Sequence, residues 1–261
     1  MSILKREKLN QLLAKWTSGT ILTSQWLGEH GYSPQLMEKY LSKGWVHRVG
    51  PRAYSRAGDI VSWKGAVNAL QKQMNMPVHV GGLNALELHG LAQYIAFDES
   101  KITLFNTSAK KKILPSWVEA AFPHIVYIQK HLINDELGLE VKKIDGVEII
   151  LSSAELAILE ILSLVPHAFD YAHAYDLVEN MQLLRPELIQ QLLLGCLSIK
   201  VKRLFLFLAE KHQLPCFSHL KIDDIDLGNH KQMIGEGGGS YIAKYKLSVP
   251  RIRTENEIED V

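Results

Sequence analysis

Residues 22–58 read LTSQWLGEHGYSPQLMEKYLSKGWVHRVGPRAYSRAG, and the punctuation of this stretch decides the architecture. Thr23 stands where a helix N-cap belongs, and it predicts a short helix with Trp26 and Leu27 turned inward. His30-Gly31 ends that helix, because glycine takes the left-handed cap conformation at no steric cost. Ser33 is a second cap, with Pro34 at the first helical position, where a missing N–H is no loss. The helix that follows puts Met37, Tyr40 and Leu41 inside. Its outer face carries Gln35, Glu38, Lys39 and Ser42, spaced i, i+3, i+4, i+7. Gly44 closes it. Trp45–Val49 and Ala53–Arg56 then read as two strands around Gly50-Pro51-Arg52. Upstream, Leu9, Leu12, Leu13 and Trp16 line one side of a first helix, broken at Thr17–Thr20. Helix, short helix, glycine turn, polar-faced helix and hairpin is the order of a winged helix-turn-helix.

The chemistry of this module suits duplex DNA. A third helix of about 11 residues is roughly 16 Å long, the right size for a major groove. Its outer face offers an amide (Gln35), a carboxylate (Glu38) and a cation (Lys39), the groups that read adenine, cytosine and guanine edges. Ser33 and Pro34 bring the helix start, with its unpaired N–H groups, toward a phosphate. Arg48 and Arg52 sit on the wing, within reach of the neighbouring backbone or minor groove. Charge follows the same division. Residues 1–60 hold nine basic and four acidic side chains, a surplus of five, while the remainder has 20 basic and 24 acidic. A basic head on a mildly acidic body points to a polyanionic partner for the head.

The composition limits the rest. With 261 residues, 47% of them hydrophobic and 22% charged, the chain has material for two cores and is not disordered in bulk. A net charge of +1 excludes a polycation, so nucleic-acid binding has to come from a local patch. Two cysteines, Cys196 and Cys216, make neither a disulfide framework nor a four-ligand zinc site. They fit a reducing, cytoplasmic compartment. The opening MSILKREKLNQLLAKW lacks the apolar core of a signal peptide, and no apolar run is long enough to span a bilayer, so no membrane association is expected. No cofactor is implied.

Past the hairpin, residues 59–74 read as a helix stopped by Pro77, followed by a short strand at Val78–Val80 and a short helix from Asn84 to His89. His79 and His89 read as structural histidines. Ile102–Phe105, His124–Ile128, Leu139–Val141 and Val147–Ile150 are strand-like. The Lys110-Lys111-Lys112 run reads as a solvated turn, or as a second phosphate contact. Ser152 and Glu155 match an S-x-x-E capping box opening a helix to Val165. Further helices are expected over 169–184 and 186–194. A fourth, around Val201, Leu204, Phe205 and Leu208, is apolar almost all round and should be buried, which makes Lys202 and Arg203 unexpected unless paired or functional. Residues 232–249 read as a terminal hairpin around a glycine run, and 254–261 as an acidic tail.

The run quoted above, followed by VSWKGAVNALQ (61–71) and PVHVGGLNALELHGLAQYI (77–95), resembles the AbiEi antitoxins of type IV toxin–antitoxin systems. KVKRLFLFLAEKH (200–212) and IDLGNHKQMIGEGGGSYIAKYKLSVPR (225–251) resemble the end of the same family's C-terminal domain. The resemblance implies an α+β protein: an N-terminal winged helix-turn-helix domain, placed at 1–93, then a mixed α/β C-terminal antitoxin domain at 94–253. It implies repression of its own operon and neutralisation of an AbiEii-type nucleotidyltransferase toxin without a stable complex. By position in the module, the DNA-binding set would be Ser33, Gln35, Glu38, Lys39 and Lys43 on the helix and Arg48 and Arg52 on the wing. Lys202 and Arg203 would belong to the antitoxin surface. A monomer in solution is compatible with the absence of a dimerisation seam in the pattern, with two or more copies on an operator, as helix-turn-helix proteins use.

Two other readings compete. One is a winged-helix regulator whose C-terminal domain senses or oligomerises, with no toxin. The other is a metal-dependent nuclease built on Asp135 with Glu140-Val141-Lys142, since two carboxylates and a lysine can hold Mg²⁺ and a phosphate. Other enzyme signatures are missing. The glycine run lacks the G-K-[ST] of a phosphate-binding loop, Asp223, Asp224 and Asp226 lack the calcium-loop pattern, and there is no G-x-S-x-G. The expectation is a protein that is not an enzyme.

Overall fold

A computed structural model gives residues 3–92, 101–106, 108, 110, 112–133, 136–235 and 239–252, with side chains from residue 7 onward. Lys111, the glycines at 237 and 238 and the acidic tail lie outside the described residues, as does Asp135.

Helix α1 (Ile3–Lys15) buries Leu9 and Leu12, and Trp16 just beyond it donates its indole N–H to Thr20 O at 3.1 Å, closing the turn that follows. Strand β1 (Leu22–Thr23) leads into α2 (Ser24–Glu29), where Thr23 Oγ1 accepts from the Trp26 N–H at 3.2 Å. Gly31, at φ +79°, turns the chain, and Ser33 Oγ accepts from the Leu36 N–H at 3.3 Å to start α3 (Pro34–Ser42). Strands β2 (Val46–Gly50) and β3 (Ala53–Arg56) form the wing hairpin, with β1 on the far edge of an antiparallel sheet in the order β1-β3-β2. Leu12, Leu27, Met37, Tyr40 and Val46 share one buried cluster, which fixes α3 against α1, α2 and the wing. The winged helix-turn-helix read from the caps and glycines is present.

The helix expected over 59–74 starts later, at α4 (Trp63–Asn68), and widens into a π-helical turn at Ala69–Gln73. Asp59 stays outside it and accepts from the Gly19 N–H at 2.9 Å and from Arg56. The widened turn sends two glutamines in different directions. Gln71 donates to the carbonyls of Val78 and Ile150 and accepts from the Ile150 N–H at 2.8 Å, standing in for ladder bonds between two strands. Gln73 accepts from the Thr23 N–H at 2.8 Å and donates to Ile21 O, extending the wing sheet.

A second sheet follows from β4 (Val78–Val80), β5 (Ile102–Asn106), β6 (Ile125–Ile128), β7 (Leu139–Ile144) and β8 (Val147–Ser152), in the order β6-β5-β4-β8-β7. β4 is antiparallel to β5 and parallel to β8, while β5 is parallel to β6. Helix α5 (Gly82–Leu88) follows β4, and α6 (Ser116–Ala121) connects β5 to β6. The chain divides into two compact units drawn from interleaved segments. One takes Met1–Val80, Ala96–Lys130 and Leu139–Leu151; the other takes Gly81–Ile95, His131–Gly138 and Ser152–Val261.

The second unit is mainly helical. Its centre is α7 (Ala154–Leu164), nearly every residue of which is buried. The capping residue is Ser153, whose Oγ accepts from the Leu156 N–H, and not Ser152 as the S-x-x-E spacing predicts. Strand β8 runs on through Ser152 and turns that side chain inward, where it donates to Glu160 Oε2 at 2.8 Å. Glu160 also accepts from the Gly82 N–H at 2.8 Å, so this buried carboxylate is satisfied. Around α7 lie α8 (Tyr171–Glu179), shorter than the predicted 169–184, α9 (Pro186–Gly195) and α10 (Ile199–Lys211). The terminal segment is not a simple hairpin. β10 (Ser240–Ile242) and β11 (Leu247–Val249) are antiparallel, and β9 (Gln232–Met233) pairs parallel with the outer edge of β11.

Lys202 and Arg203 correct an expectation. They are 4% and 1% exposed, so neither forms a surface. Arg203 donates to the carbonyls of Leu227, Gly228, His230 and Lys246 at 2.6–3.1 Å, and Lys202 Nζ donates to Asp226 O at 3.2 Å. The pair is buried because it satisfies carbonyls of the irregular 226–230 stretch, and Arg203 adds a second donor to Lys246 O, which already accepts from the Gln232 N–H.

Candidate nucleic-acid interface

The faces of α3 are fixed by its buried side. Met37 and Tyr40 point into the cluster, so Gln35, Glu38 and Lys39 are left on the solvent side, with Ser33 exposed at the start and Lys43 exposed at the C-cap. Nine residues make about 14 Å of helix, still groove-sized. The Lys43 N–H closes on Lys39 O at 3.2 Å, which ends the helix and sets both lysines on its last turn.

The wing supplies the other two cations. Arg48 is exposed on β2, beside exposed His47, and its guanidinium lies 5.6 Å over the Tyr54 ring of β3. Its Nη2 also donates to Glu38 Oε1 at 2.7 Å, so the wing strand and α3 are joined across the face that both present. Glu38, the one carboxylate among the seven expected residues, is thereby partnered. Arg52 forms the hairpin tip at φ +63°, after Pro51, in the position where a type II turn ordinarily takes glycine. Its carbonyl accepts from the Ser24 N–H at 2.9 Å, which pins the tip to the start of α2. All seven residues named from the sequence therefore fall on exposed parts of α3 and the wing, and Glu38 and Arg48 are in direct contact.

Other parts of the site were not legible. Beside the wing is an open cleft of about 560 Å³ bounded by Gln25, Arg52, Met74, Ser116 and Trp117. Gln25 sits on the exposed side of α2 and donates to Glu29. Ser116 and Trp117 come from α6, more than 60 residues downstream of Arg52. The only local signal for this approach is Gly50, where a Cβ would stand 2.8 Å from the Trp117 Cβ, so the strand backbone can lie against α6 only without a side chain.

The nuclease reading gains no geometry. Glu140 and Lys142 are half-buried on β7, and Asp135 is not described. Among the described residues, no group of three His, Cys, Asp or Glu side chains is placed to hold a metal. Among the same residues, no helix is long and apolar enough to cross a membrane.

Comparison with known proteins gives a consistent set. A structure search finds the RV2827C protein from Mycobacterium tuberculosis, a crystal structure matched at a TM-score of 0.60 and 15% identity over 95% of this chain and 92% of that one, a likeness of fold. A comparison with curated protein sequences gives no match. Residues 5–97 match the family model described as transcriptional regulator, AbiEi antitoxin N-terminal domain, and residues 99–250 match that of transcriptional regulator, AbiEi antitoxin, type IV toxin–antitoxin system. With both models matched in order over nearly its whole length, the chain belongs to the AbiEi family of antitoxins and transcriptional regulators of type IV toxin–antitoxin systems.

Proposed function

We propose that this chain represses its own operon by seating α3 in the major groove of promoter DNA, with the wing on the adjacent backbone. The observation that supports this reading is that Ser33, Gln35, Lys39 and Lys43 on α3 and Arg48 and Arg52 on the wing are all exposed, with Arg48 tied to α3 through Glu38. Four cations on one face give the phosphate-dominated affinity that duplex binding needs, and Gln35 and Lys39 supply base-reading groups. In the free protein Glu38 accepts from Arg48 and joins the wing to α3, and on the duplex Arg48 exchanges this carboxylate for a phosphate. Two copies bind repeated half-sites, and the protein works in the cytoplasm. The same chain neutralises an AbiEii-type nucleotidyltransferase toxin, without a stable complex with it.

Fluorescence anisotropy with the full chain and its own upstream DNA tests the head. Lys39→Ala and Arg52→Ala should each raise Kd several-fold at low salt, and added salt should weaken the native complex steeply. Equal affinity in all three proteins refutes the assignment. Rescue of cells expressing an AbiEii-type toxin tests the other half. Arg52→Ala should rescue as well as the native chain, and failure of the native chain to rescue removes the antitoxin role. Full-length protein is required in both tests, because β4 pairs with β5 and β8 from beyond residue 100.

A further inference from the structure

The cleft beside the wing is walled by chain that arrives from the second family segment. α6 lies against β2 at Gly50, and Ser116 at its start borders the cleft together with Arg52 and Gln25. The approach to α6 carries two exposed lysines, Lys110 and Lys112. Both are held by their backbone. Asn106 Nδ2 donates to Lys110 O at 3.1 Å, the Lys110 N–H donates to Ser108 Oγ at 3.2 Å, and Gln129 Nε2 donates to Lys112 O at 2.9 Å. Only two residues separate Lys112 from Pro115 on the cleft wall, so its Cα stands within about 11 Å of Pro115. Glu119, exposed in the first turn of α6, is the acidic group on the same segment.

We propose that the duplex bound by α3 and the wing continues over this ledge, and that Lys110 and Lys112 neutralise phosphates following the one Arg52 reaches. The proposal rests on the head being a DNA-binding module. Successive phosphates of one strand advance about 3.4 Å along the duplex axis, so a ledge a few residues long is enough to meet more than one of them. A ledge fixed to the wing through the Gly50–Trp117 contact would lengthen the footprint beyond a lone winged helix. The part of the chain matched by the second family model then has a direct share in operator binding.

Anisotropy titrations of the full chain on its upstream duplex, between about 50 and 200 mM salt, test this. The Lys110→Ala/Lys112→Ala double variant should raise Kd about five- to tenfold at the low-salt end and flatten the slope of log K against log salt by nearly two, since each phosphate contact contributes about 0.9. Lys39→Ala and Arg52→Ala run beside it. If those two weaken binding and the double variant keeps the native Kd and slope, the ledge is overturned and the head stands. If none of the three differs from the native chain, both readings fall.

Discussion

Arg48 Nη2 lies 2.7 Å from Glu38 Oε1, a bond between the wing and the recognition helix made on the face that both would offer to DNA. In a free protein this contact fixes the angle between wing and helix. In the proposed complex it would compete with phosphate for the guanidinium. Both side chains are about half exposed or more, so the pair contributes little to stability. Glu38→Gln should therefore leave the melting temperature within about 1 °C, since the change is under roughly 0.5 kcal/mol. The same variant should bind its promoter about threefold more tightly at low salt and steepen the salt slope by close to one, because Arg48 is released for a phosphate. An unchanged Kd and slope would show that the pair does not compete with the duplex.

Arg52 separates binding from folding. An arginine at φ +63° occupies the left-handed region at a cost of about 1 kcal/mol that glycine would not incur. Arg52→Gly should raise the melting temperature by roughly 2 °C and at the same time weaken DNA binding several-fold. A residue kept only for the turn would give a more stable protein with native affinity, and a titration beside a thermal melt distinguishes the two outcomes.

Gly50 tests how α6 supports the wing. The Cβ of an alanine there would meet the Trp117 Cβ at 2.8 Å and its Cα at 3.0 Å, distances that require backbone movement. Gly50→Ala should cost about 1–3 kcal/mol in urea denaturation and loosen promoter binding, because the wing has to shift off α6. Stability loss with native affinity would mean that the wing docks on DNA independently of α6.

The sequence was most readable where local chemistry decides. Thr23, Gly31, Ser33 and Pro34 each act through groups within three or four residues, so helix ends and the helix-turn-helix follow from spacing alone. One position away from that locality the reading fails. Ser152 has the right spacing to Glu155, yet β8 carries two residues further than the pattern implies, which passes the cap to Ser153 and turns Ser152 toward Glu160. Contacts made across long stretches of chain left almost no trace. Apart from the missing side chain at Gly50, nothing local marks Trp117 as a neighbour of the wing, and nothing marks Lys202 and Arg203 as donors to carbonyls some 25 residues away. Their oddity in an apolar helix was visible, but its resolution lay in the partner segment.

Arg203 should accordingly matter for stability and not as a surface. Arg203→Met leaves the carbonyls of Leu227, Gly228 and His230 without this donor, while Lys246 O keeps the Gln232 N–H, and should cost about 3 kcal/mol, a melting decrease of roughly 10 °C. Arg203→Lys should recover little, because an ammonium cannot reproduce the planar fork. Hydrogen exchange should quicken first over β9 to β11, which these bonds anchor. Uniform acceleration across the second unit would argue against a local clasp.

Acid should act through Glu155. Burial pushes this carboxyl upward, but the hydrogen bonds and charge of Arg185, with Nη2 at 2.8 Å and the backbone N–H at 2.8 Å, outweigh it and hold the folded pKa below the ordinary carboxylate value. A depressed folded pKa gives stability that is complete above the unfolded value, about 4.3, and is lost as pH falls through the folded one. Arg185→Met removes the guanidinium, though not the backbone N–H, from a carboxylate that is 2% exposed. It should cost about 2 kcal/mol at pH 7, a figure reduced for the half-exposed guanidinium. In the variant backbone N–H bonds alone oppose burial, so the folded pKa rises and protonation on the way down relieves part of the penalty. Melting temperatures from pH 7 to pH 3 should therefore converge as acid is added, the native protein losing more than the variant. Parallel curves would mean that Glu155 and Arg185 are not coupled in the folded chain.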